Sequence, residues 1–200
     1  MALKTIGKLA VMLTLGGSLA GCIDATVEVA VTSDKTAKAS VIQVMAPDFY
    51  GMIKASSAES KNGSDRFCSE GELTEGADGS ATCTFTAEGS FAELARIGDE
   101  DGALTFIPAG PGLVRVGLPT AEMVSGLGED EGVDAETRQM VEAYFTGHTI
   151  TIRLSGAEVV ESNMEIDKDG KSAETVLPIL DLIKGGTDLP EEFFAVVRVP

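Results

Sequence analysis

The sequence is poor in the side chains that most binding and catalytic sites use. It has no tryptophan, one histidine and two tyrosines among its 200 residues. Aromatic platforms for sugars or nucleic acid bases are therefore hard to build from this chain. It also lacks a GxSxG elbow, Ser-x-x-Lys, HExxH, a Walker loop and a GxGxxG that follows a strand. We therefore predict a non-enzymatic protein with no catalytic, cofactor-binding or metal-binding residues.

Positive charge is scarce as well. There are 15 basic and 32 acidic residues, which gives a net charge of −17. Such a charge disfavours nucleic acid and anionic lipid head groups as partners. No stretch after residue 22 approaches the 18 or so apolar residues that a membrane-spanning helix needs. We therefore expect no nucleic acid partner and no later transmembrane segment.

The first 21 residues have the layout of a secretory signal peptide. Lys4 and Lys8 precede an uncharged run, residues 9–19, and small residues follow. The run is too short to remain as a transmembrane helix. The residues "LAGC", ending at Cys22, resemble the lipobox of bacterial lipoproteins. The alternative is an ordinary signal peptide that happens to be followed by a cysteine.

The lipobox resemblance implies that Cys22 is lipidated, carries acyl chains such as palmitate, and becomes the N-terminus after cleavage. Two or more acyl chains hold a protein stably on a membrane. Ile23, rather than aspartate, follows Cys22, which favours the outer membrane where the cell has one. Residues 22–200 are then predicted to form a single domain in the cell envelope, outside the cytoplasm, with 13 basic and 32 acidic residues and a net charge of −19.

The predicted anchor leaves the domain little slack. Residues 23 and 24 alone separate Cys22 from the first predicted strand. At about 3.5 Å per extended residue they reach roughly 7 Å. We therefore expect the domain to sit directly against its membrane.

Two cysteines remain, Cys68 and Cys83, and we predict that they form a disulfide. Cysteine pairs outside the cytoplasm usually oxidise. Closing a loop of about 16 residues stabilises a fold by roughly 3 kcal/mol. The alternative, a metal-binding or redox pair, lacks CxxC spacing and a nearby histidine.

Hydrophobic periodicity predicts strands along most of the chain. Residues 25–32 alternate, with Val27, Val29 and Val31 on one face, and residues 37–45 return as the second strand of a hairpin. Ile150, Ile152 and Leu154 mark another alternating strand. Strands and helices mix without a strict βαβ rhythm. The predicted fold class is α+β, with a mainly antiparallel sheet, open or barrel-like, and three short helices.

The three helices have recognisable start and stop signals. Pro47 lies in the first turn of one helix. Ser90 and Glu93 form the pattern of a capping box, followed by a stop at Gly98. Residues 134–147 give the strongest helical pattern, with Asp134 at its start.

Acidic clusters occur at residues 98–102, 128–132 and 165–170. The last cluster resembles a calcium loop, but Val176 stands where an EF-hand requires glutamate. We interpret all three as solvated loops or turns, with weak calcium binding as the open alternative. His148 begins an amphipathic strand and is interpreted as a structural or surface residue.

The order of elements and the segment "LSGAEVVESNMEIDKDGKSAETVLPI" resemble bacterial lipoproteins of the LppM type. Gly156, Val159 and Asn163 stand at the pattern positions. The chain departs from the pattern by lacking a tryptophan in the strand after the turn and a hydrophobic C-terminal helix, and by having the Cys68–Cys83 pair. The resemblance implies a non-enzymatic envelope domain with a β-rich, partly barrel-like fold and an apolar cavity for lipid tails.

The leading hypothesis is a lipid-anchored envelope protein that binds a lipid, another apolar ligand or an envelope protein. With so few basic residues, a lipid would be held by its tails. The alternatives are a surface-coating lipoprotein and a hydrolase that uses carboxylates. A binding domain predicts a concave apolar pocket, an enzyme predicts converging acids with shifted pKa values, and a coat protein predicts neither.

Overall fold

The computed structural model describes residues 23–59, 67–68, 71–96, 104–121, 139, 142–184 and 188–200. The predicted signal peptide and Cys22 lie outside the described residues. Every described strand and helix falls between residues 23 and 200, and this segment is called the domain below.

The larger of two sheets has seven strands in the described part of the chain. They are β1 (Ile23–Val31), β2 (Thr36–Met45), β3 (Glu72–Glu75), β4 (Ala81–Ser90), β7 (Thr149–Ser155), β9 (Glu165–Ile166) and β10 (Ser172–Pro178). This first sheet has the order β3-β4-β2-β1-β7-β10-β9. Strands β1 and β7 pair in parallel, and the other neighbours pair antiparallel.

The second sheet contains β5 (Thr105–Gly110), β6 (Leu113–Pro119), β8 (Glu158–Ser162) and β11 (Glu192–Arg198). Its order is β5-β6-β11-β8, and all of its pairs are antiparallel. The predicted α+β class with mainly antiparallel pairing is confirmed. The described strands form two open sheets rather than one closed barrel.

The first hairpin shows why the alternating pattern predicts strands. Val27, Val29 and Val31 of β1 are almost completely buried, while Thr26 and Glu28 are half-buried on the opposite face. Successive side chains of a strand point to opposite faces, so three valines at every second position reach one core. Strand β7 repeats the pattern, as predicted, with Ile150, Ile152 and Leu154 buried, and both sheets contribute to this core.

Three helices have defined bounds: α1 (Pro47–Glu59), α2 (Phe91–Leu94) and α3 (Ile179–Ile183). The capping box at the start of α2 is confirmed. The Glu93 N–H donates to Ser90 Oγ at 3.3 Å, and the Ser90 N–H donates to Glu93 Oε2 at 2.8 Å. Of the predicted helix 134–147, residues 142–145 are helical, and most of the rest lies outside the described residues.

The three residues of the LppM-type pattern hold the segment from β7 to β9 against β11. Gly156 lies where a Cβ atom would come 2.8 Å from Val197 Cβ, so the chains can approach this closely because Gly156 has no side chain. Val159 is buried in the core. The side chain of Asn163 donates to the Glu192 carbonyl at 2.9 Å and accepts from the Phe194 N–H at 2.8 Å.

Candidate functional site

An apolar pocket opens where the turn side of the first sheet meets the second sheet. Its volume is about 230 Å³. The pocket is formed by the β1–β2 turn, the first residue of α2, the β5–β6 hairpin and the chain just after β11. The residues that line it are Asp34, Phe91, Phe106, Pro108, Gly110, Gly112, Leu113, Val114 and Val199. It is a concave apolar surface with little polar lining, which is the general character of a small-molecule pocket.

Two stacked phenylalanine rings form one wall of the pocket. The rings of Phe91 and Phe106 are parallel within 4°, with their centroids 4.5 Å apart. Such a pair contributes about 0.5–1.5 kcal/mol beyond the area that it buries. Phe91 comes from the end of the first sheet and Phe106 from the second, so this contact joins the two sides of the pocket.

A tight turn at residues 110–112 forms the rim of the pocket. Gly110 and Gly112 have φ values of +133° and +68°, which side chains of L-residues rarely tolerate. A Cβ atom at Gly112 would meet nothing within 4 Å, so this glycine is required by backbone conformation rather than by space. The Gly112 carbonyl accepts the Val199 N–H at 3.0 Å and fixes the C-terminal wall.

The turn that carries Asp34 is held by several hydrogen bonds. Ser33 Oγ accepts the Lys35 N–H and the Thr36 N–H, both at 3.1 Å. The Lys35 carbonyl accepts the Phe91 N–H at 2.9 Å. This last bond joins the turn directly to the pocket wall. Asp34 is the only ionisable residue in the described lining of the pocket.

His148 lies immediately before β7. Its carbonyl accepts the Ile179 N–H at 3.0 Å, at the start of α3. Its Nδ1 atom lies 3.4 Å from Asp24 Oδ1 without forming a hydrogen bond. Asp24 Oδ1 instead accepts the Thr149 N–H at 2.9 Å. This pair lies at the start of β1, at the opposite end of that strand from the pocket.

The acidic cluster at residues 165–170 forms the turn between β9 and β10. Its Asp167 carboxylate accepts a hydrogen bond from Arg153 Nη2 at 2.6 Å and another from Ser172 Oγ. Arg153 Nη1 also lies 3.6 Å from Glu174 Oε2. The carboxylate that a cation would need is therefore already paired with a guanidinium. The clusters at 98–102 and 128–132 lie outside the described residues.

The described residues with shifted pKa values are Tyr50, Lys54, Glu75, Asp78 and Glu93, and none of them lines the pocket. Lys54 and Tyr50 both donate to Glu75 Oε1 at 2.6 Å. The hydrogen bond from Lys54, followed by that from Tyr50, lowers the pKa of Glu75, and the bond to Glu75 raises the pKa of Tyr50. The Ser90 hydroxyl similarly lowers the pKa of Glu93 in the capping box. Local hydrogen bonds account for these shifts.

The disulfide between Cys68 and Cys83 is confirmed, with a Cα–Cα distance of 5.4 Å. It joins the chain before β3 to the buried side of β4. Between the two cysteines, β3 pairs with β4 and residues 76–80 make the turn. Gly71 covers the bond, since a Cβ there would lie 2.8 Å from Cys83 Sγ. The disulfide lies near the end of β2 that is farther from the β1–β2 turn, and therefore away from the pocket.

Sequence reasoning did not identify the pocket residues as a site. No sequence motif links Phe91 in α2 to the turn at residues 110–112. The sequence signal for these residues is that apolar side chains flank a glycine turn, where polar residues are common. These side chains are Phe106, Pro108 and Leu113. Across the described residues, no three histidine, cysteine or acidic side chains are grouped to hold a metal, and no helix is long and apolar enough to cross a bilayer.

The chain is similar in structure to the folded domain of the Mycobacterium tuberculosis LppM protein, solved by NMR. The TM-score is 0.49 at 12% sequence identity, over 90% of this chain and 91% of that chain. No protein-family model and no curated protein matches the sequence. The structural neighbour is of the type that the sequence motifs resemble, but a likeness at this level gives this chain neither a family nor a ligand.

Proposed function

We propose that this protein is a lipid-anchored lipoprotein of the bacterial cell envelope, attached through Cys22, whose domain binds an apolar group without catalysis. The anchor rests on the signal peptide pattern and the lipobox residues before Ile23. Because Ile23 follows the lipidated cysteine, the outer membrane is the proposed location where the cell has one. The membrane is the first partner, and an apolar ligand is the second.

The observation that carries the binding proposal is the apolar pocket of about 230 Å³. Pockets for drug-sized ligands are usually about 300–1,000 Å³. This one is smaller, so it suits one apolar segment of a ligand, such as part of an acyl chain, rather than a whole lipid. Each methylene group that enters gains roughly 0.8 kcal/mol.

The proposed anchor and the pocket lie at opposite ends of β1. The nine residues of β1, at about 3.3 Å each, separate Ile23 from the turn that carries Asp34 by roughly 30 Å. Acyl chains on Cys22 would therefore enter the membrane far from the pocket mouth.

Binding is tested with the domain, residues 23–200, and the apolar fluorescent probe N-phenyl-1-naphthylamine. The blocking variant is Val199→Trp, which adds a large ring to the pocket wall and leaves the backbone bond to Gly112 in place. The control is Val176→Trp, at a position 51% exposed on β10 in the first sheet. Each variant introduces a single tryptophan into a chain that otherwise has none, so the control carries the same added residue as the blocking variant.

We expect the wild type and Val176→Trp to enhance probe fluorescence equally, and Val199→Trp to lose at least tenfold in affinity. Native mass spectrometry of the domain purified from cells provides a second readout, in which a copurified lipid supports the proposal. A wild-type domain that neither binds the probe nor carries a lipid refutes the binding function and leaves the surface-coating alternative. Unchanged affinity in Val199→Trp shows that the probe binds elsewhere.

The anchor is tested separately in cells with Cys22→Ala. We expect the wild-type protein in the membrane fraction at a mass that includes cleavage before Cys22 and added acyl chains. The variant should lose that mass shift and leave the membrane fraction. If the processed mass and the membrane fraction stay unchanged in Cys22→Ala, the lipobox assignment is wrong.

A further inference from the structure

We propose that the pocket selects ligands with a neutral or cationic head group and rejects anionic amphiphiles, and that Asp34 is the residue that distinguishes them. This inference rests on the proposed binding function, because it concerns the same pocket. It adds the chemical class of the ligand: an apolar chain that ends in an amine or a hydroxyl group rather than in a carboxylate or a phosphate.

The first argument is the position of Asp34 at the pocket. Its side chain is exposed, and no other ionisable residue occurs in the described lining. The turn around it is fixed by the Ser33 hydrogen bonds and by the bond from the Phe91 N–H to the Lys35 carbonyl. A head group that protrudes from the pocket therefore meets a carboxylate whose backbone does not need to reorganise. A charge that is already held in place contributes more to binding free energy than a charge on a loop that must be ordered first.

The second argument is that three backbone N–H groups beside the pocket wall are already engaged within the protein. The N-terminus of α2 forms part of the pocket wall, and free backbone N–H groups at such a point attract negative charge. Here the Ser90 N–H donates to Glu93, the Glu93 N–H donates to Ser90 Oγ, and the Phe91 N–H donates to the Lys35 carbonyl. Glu93 also adds a negative charge to this turn. No donor of this set is left for a phosphate or carboxylate.

The third argument is the sign of the charge over the whole protein. A net charge of −17 lowers the affinity for anionic ligands, as Asp34 does. This general effect is distributed over the molecule and is screened by salt. A single exposed ion pair contributes 0.2–1 kcal/mol, which corresponds to as much as about a fivefold change in affinity. The local effect of Asp34 can be separated from the general one by removing one charge at a time.

The experiment measures displacement of N-phenyl-1-naphthylamine from the domain by three ligands of equal chain length: octylamine, octanol and octanoate. Asp34→Asn removes the charge at the pocket. Asp48→Asn is the matched control, because Asp48 is an exposed residue in the first turn of α1, at the end of β2 away from the pocket turn. Both variants change the net charge by the same amount.

At low salt we expect the wild type to bind octylamine at least fivefold more tightly than octanoate, with octanol in between. Asp34→Asn should reduce this ratio by threefold to fivefold without changing octanol affinity, and Asp48→Asn should leave the ratio within twofold of the wild-type value. A wild-type domain that binds octanoate as tightly as octylamine overturns the inference. So does a preference that Asp34→Asn and Asp48→Asn reduce equally, since the general charge would then be its cause.

Failure of the inference and failure of the proposed function give different results. If the probe binds and Val199→Trp blocks it, but the head group has no effect, the pocket is a binding site without the proposed selectivity. If neither the probe nor octanol binds to the wild type, the binding function itself is wrong and the inference is overturned with it.

Discussion

Breaking the disulfide between Cys68 and Cys83 should destabilise the domain by about 3 kcal/mol. The two cysteines are separated by 15 positions, and closing a loop of this length removes that much free energy from the unfolded ensemble in the chain-entropy model. For a domain of this size, each kcal/mol moves the melting temperature by about 2–4 °C. We therefore expect a fall of about 6–12 °C.

The best variant for this measurement is Cys68→Ala. Cys83 is completely buried, so its replacement would add a packing defect to the loss of the crosslink. Cys68 is only half-buried. Its replacement removes the crosslink while the sulfur of Cys83 still fills its position. The wild-type domain under a reducing agent is the matched control, because both states lack the bond.

The assay is thermal unfolding and denaturant unfolding of the domain, each followed by circular dichroism with and without the reducing agent. Cys68→Ala and the reduced wild type should unfold at the same denaturant concentration, below that of the oxidised wild type. Two results contradict the reasoning. One is an unchanged midpoint in Cys68→Ala, and the other is a reducing agent that lowers the midpoint of Cys68→Ala as much as that of the wild type.

Four further substitutions test other parts of the structure. Gly156→Ala should lower the unfolding free energy by about 1–3 kcal/mol, because the new Cβ meets Val197. Gly51 lies in helix α1, where a Cβ would meet nothing within 4 Å, so Gly51→Ala should raise the unfolding free energy by about 0.5–1 kcal/mol. Equal effects of the two variants on the unfolding midpoint would contradict this prediction. Asn163→Asp removes the donor to a β11 carbonyl and should cost about 1 kcal/mol in the same assay; a stability equal to wild type would show that the bond contributes nothing. Because the pKa of Glu93 is lowered in the folded protein, its contribution to stability is present above the ordinary carboxyl pKa of 4.5 and is lost as the pH falls through the folded pKa. Glu93→Ala should therefore be less stable than the wild type at pH 7, and the difference in stability should be smaller in acid. A difference in stability that grows in acid would refute this pH dependence.

The local predictions from the sequence succeeded where neighbouring residues set the conformation. Alternation of Val27, Val29 and Val31 specified a strand and its buried face, because side chains on a strand repeat every two residues. Ser90 and Glu93 specified a helix start, because the two side chains satisfy each other's backbone N–H groups within four residues.

Other features depend on residues that are far apart in the chain. The parallel pairing of β1 with β7 joins Ala25 to Ile150, and no periodicity in either strand encodes that partner. The pattern of apolar residues also does not predict how the strands divide into two sheets, because an alternating strand is compatible with either sheet. Asn163 shows the same point: its two hydrogen bonds reach a strand about thirty residues away.

The sequence by itself determined the fold class, the disulfide partners, the capping box and the lipobox pattern on which the proposed anchor rests, because each depends on residue type, short spacing or the count of remaining cysteines. The tertiary structure alone decided the pocket. Its walls come from four separate segments, around Asp34, Phe91, Phe106 and Val199. A cavity is the space left when distant elements pack, so its position and volume follow from the arrangement of the two sheets and not from any one stretch of the chain.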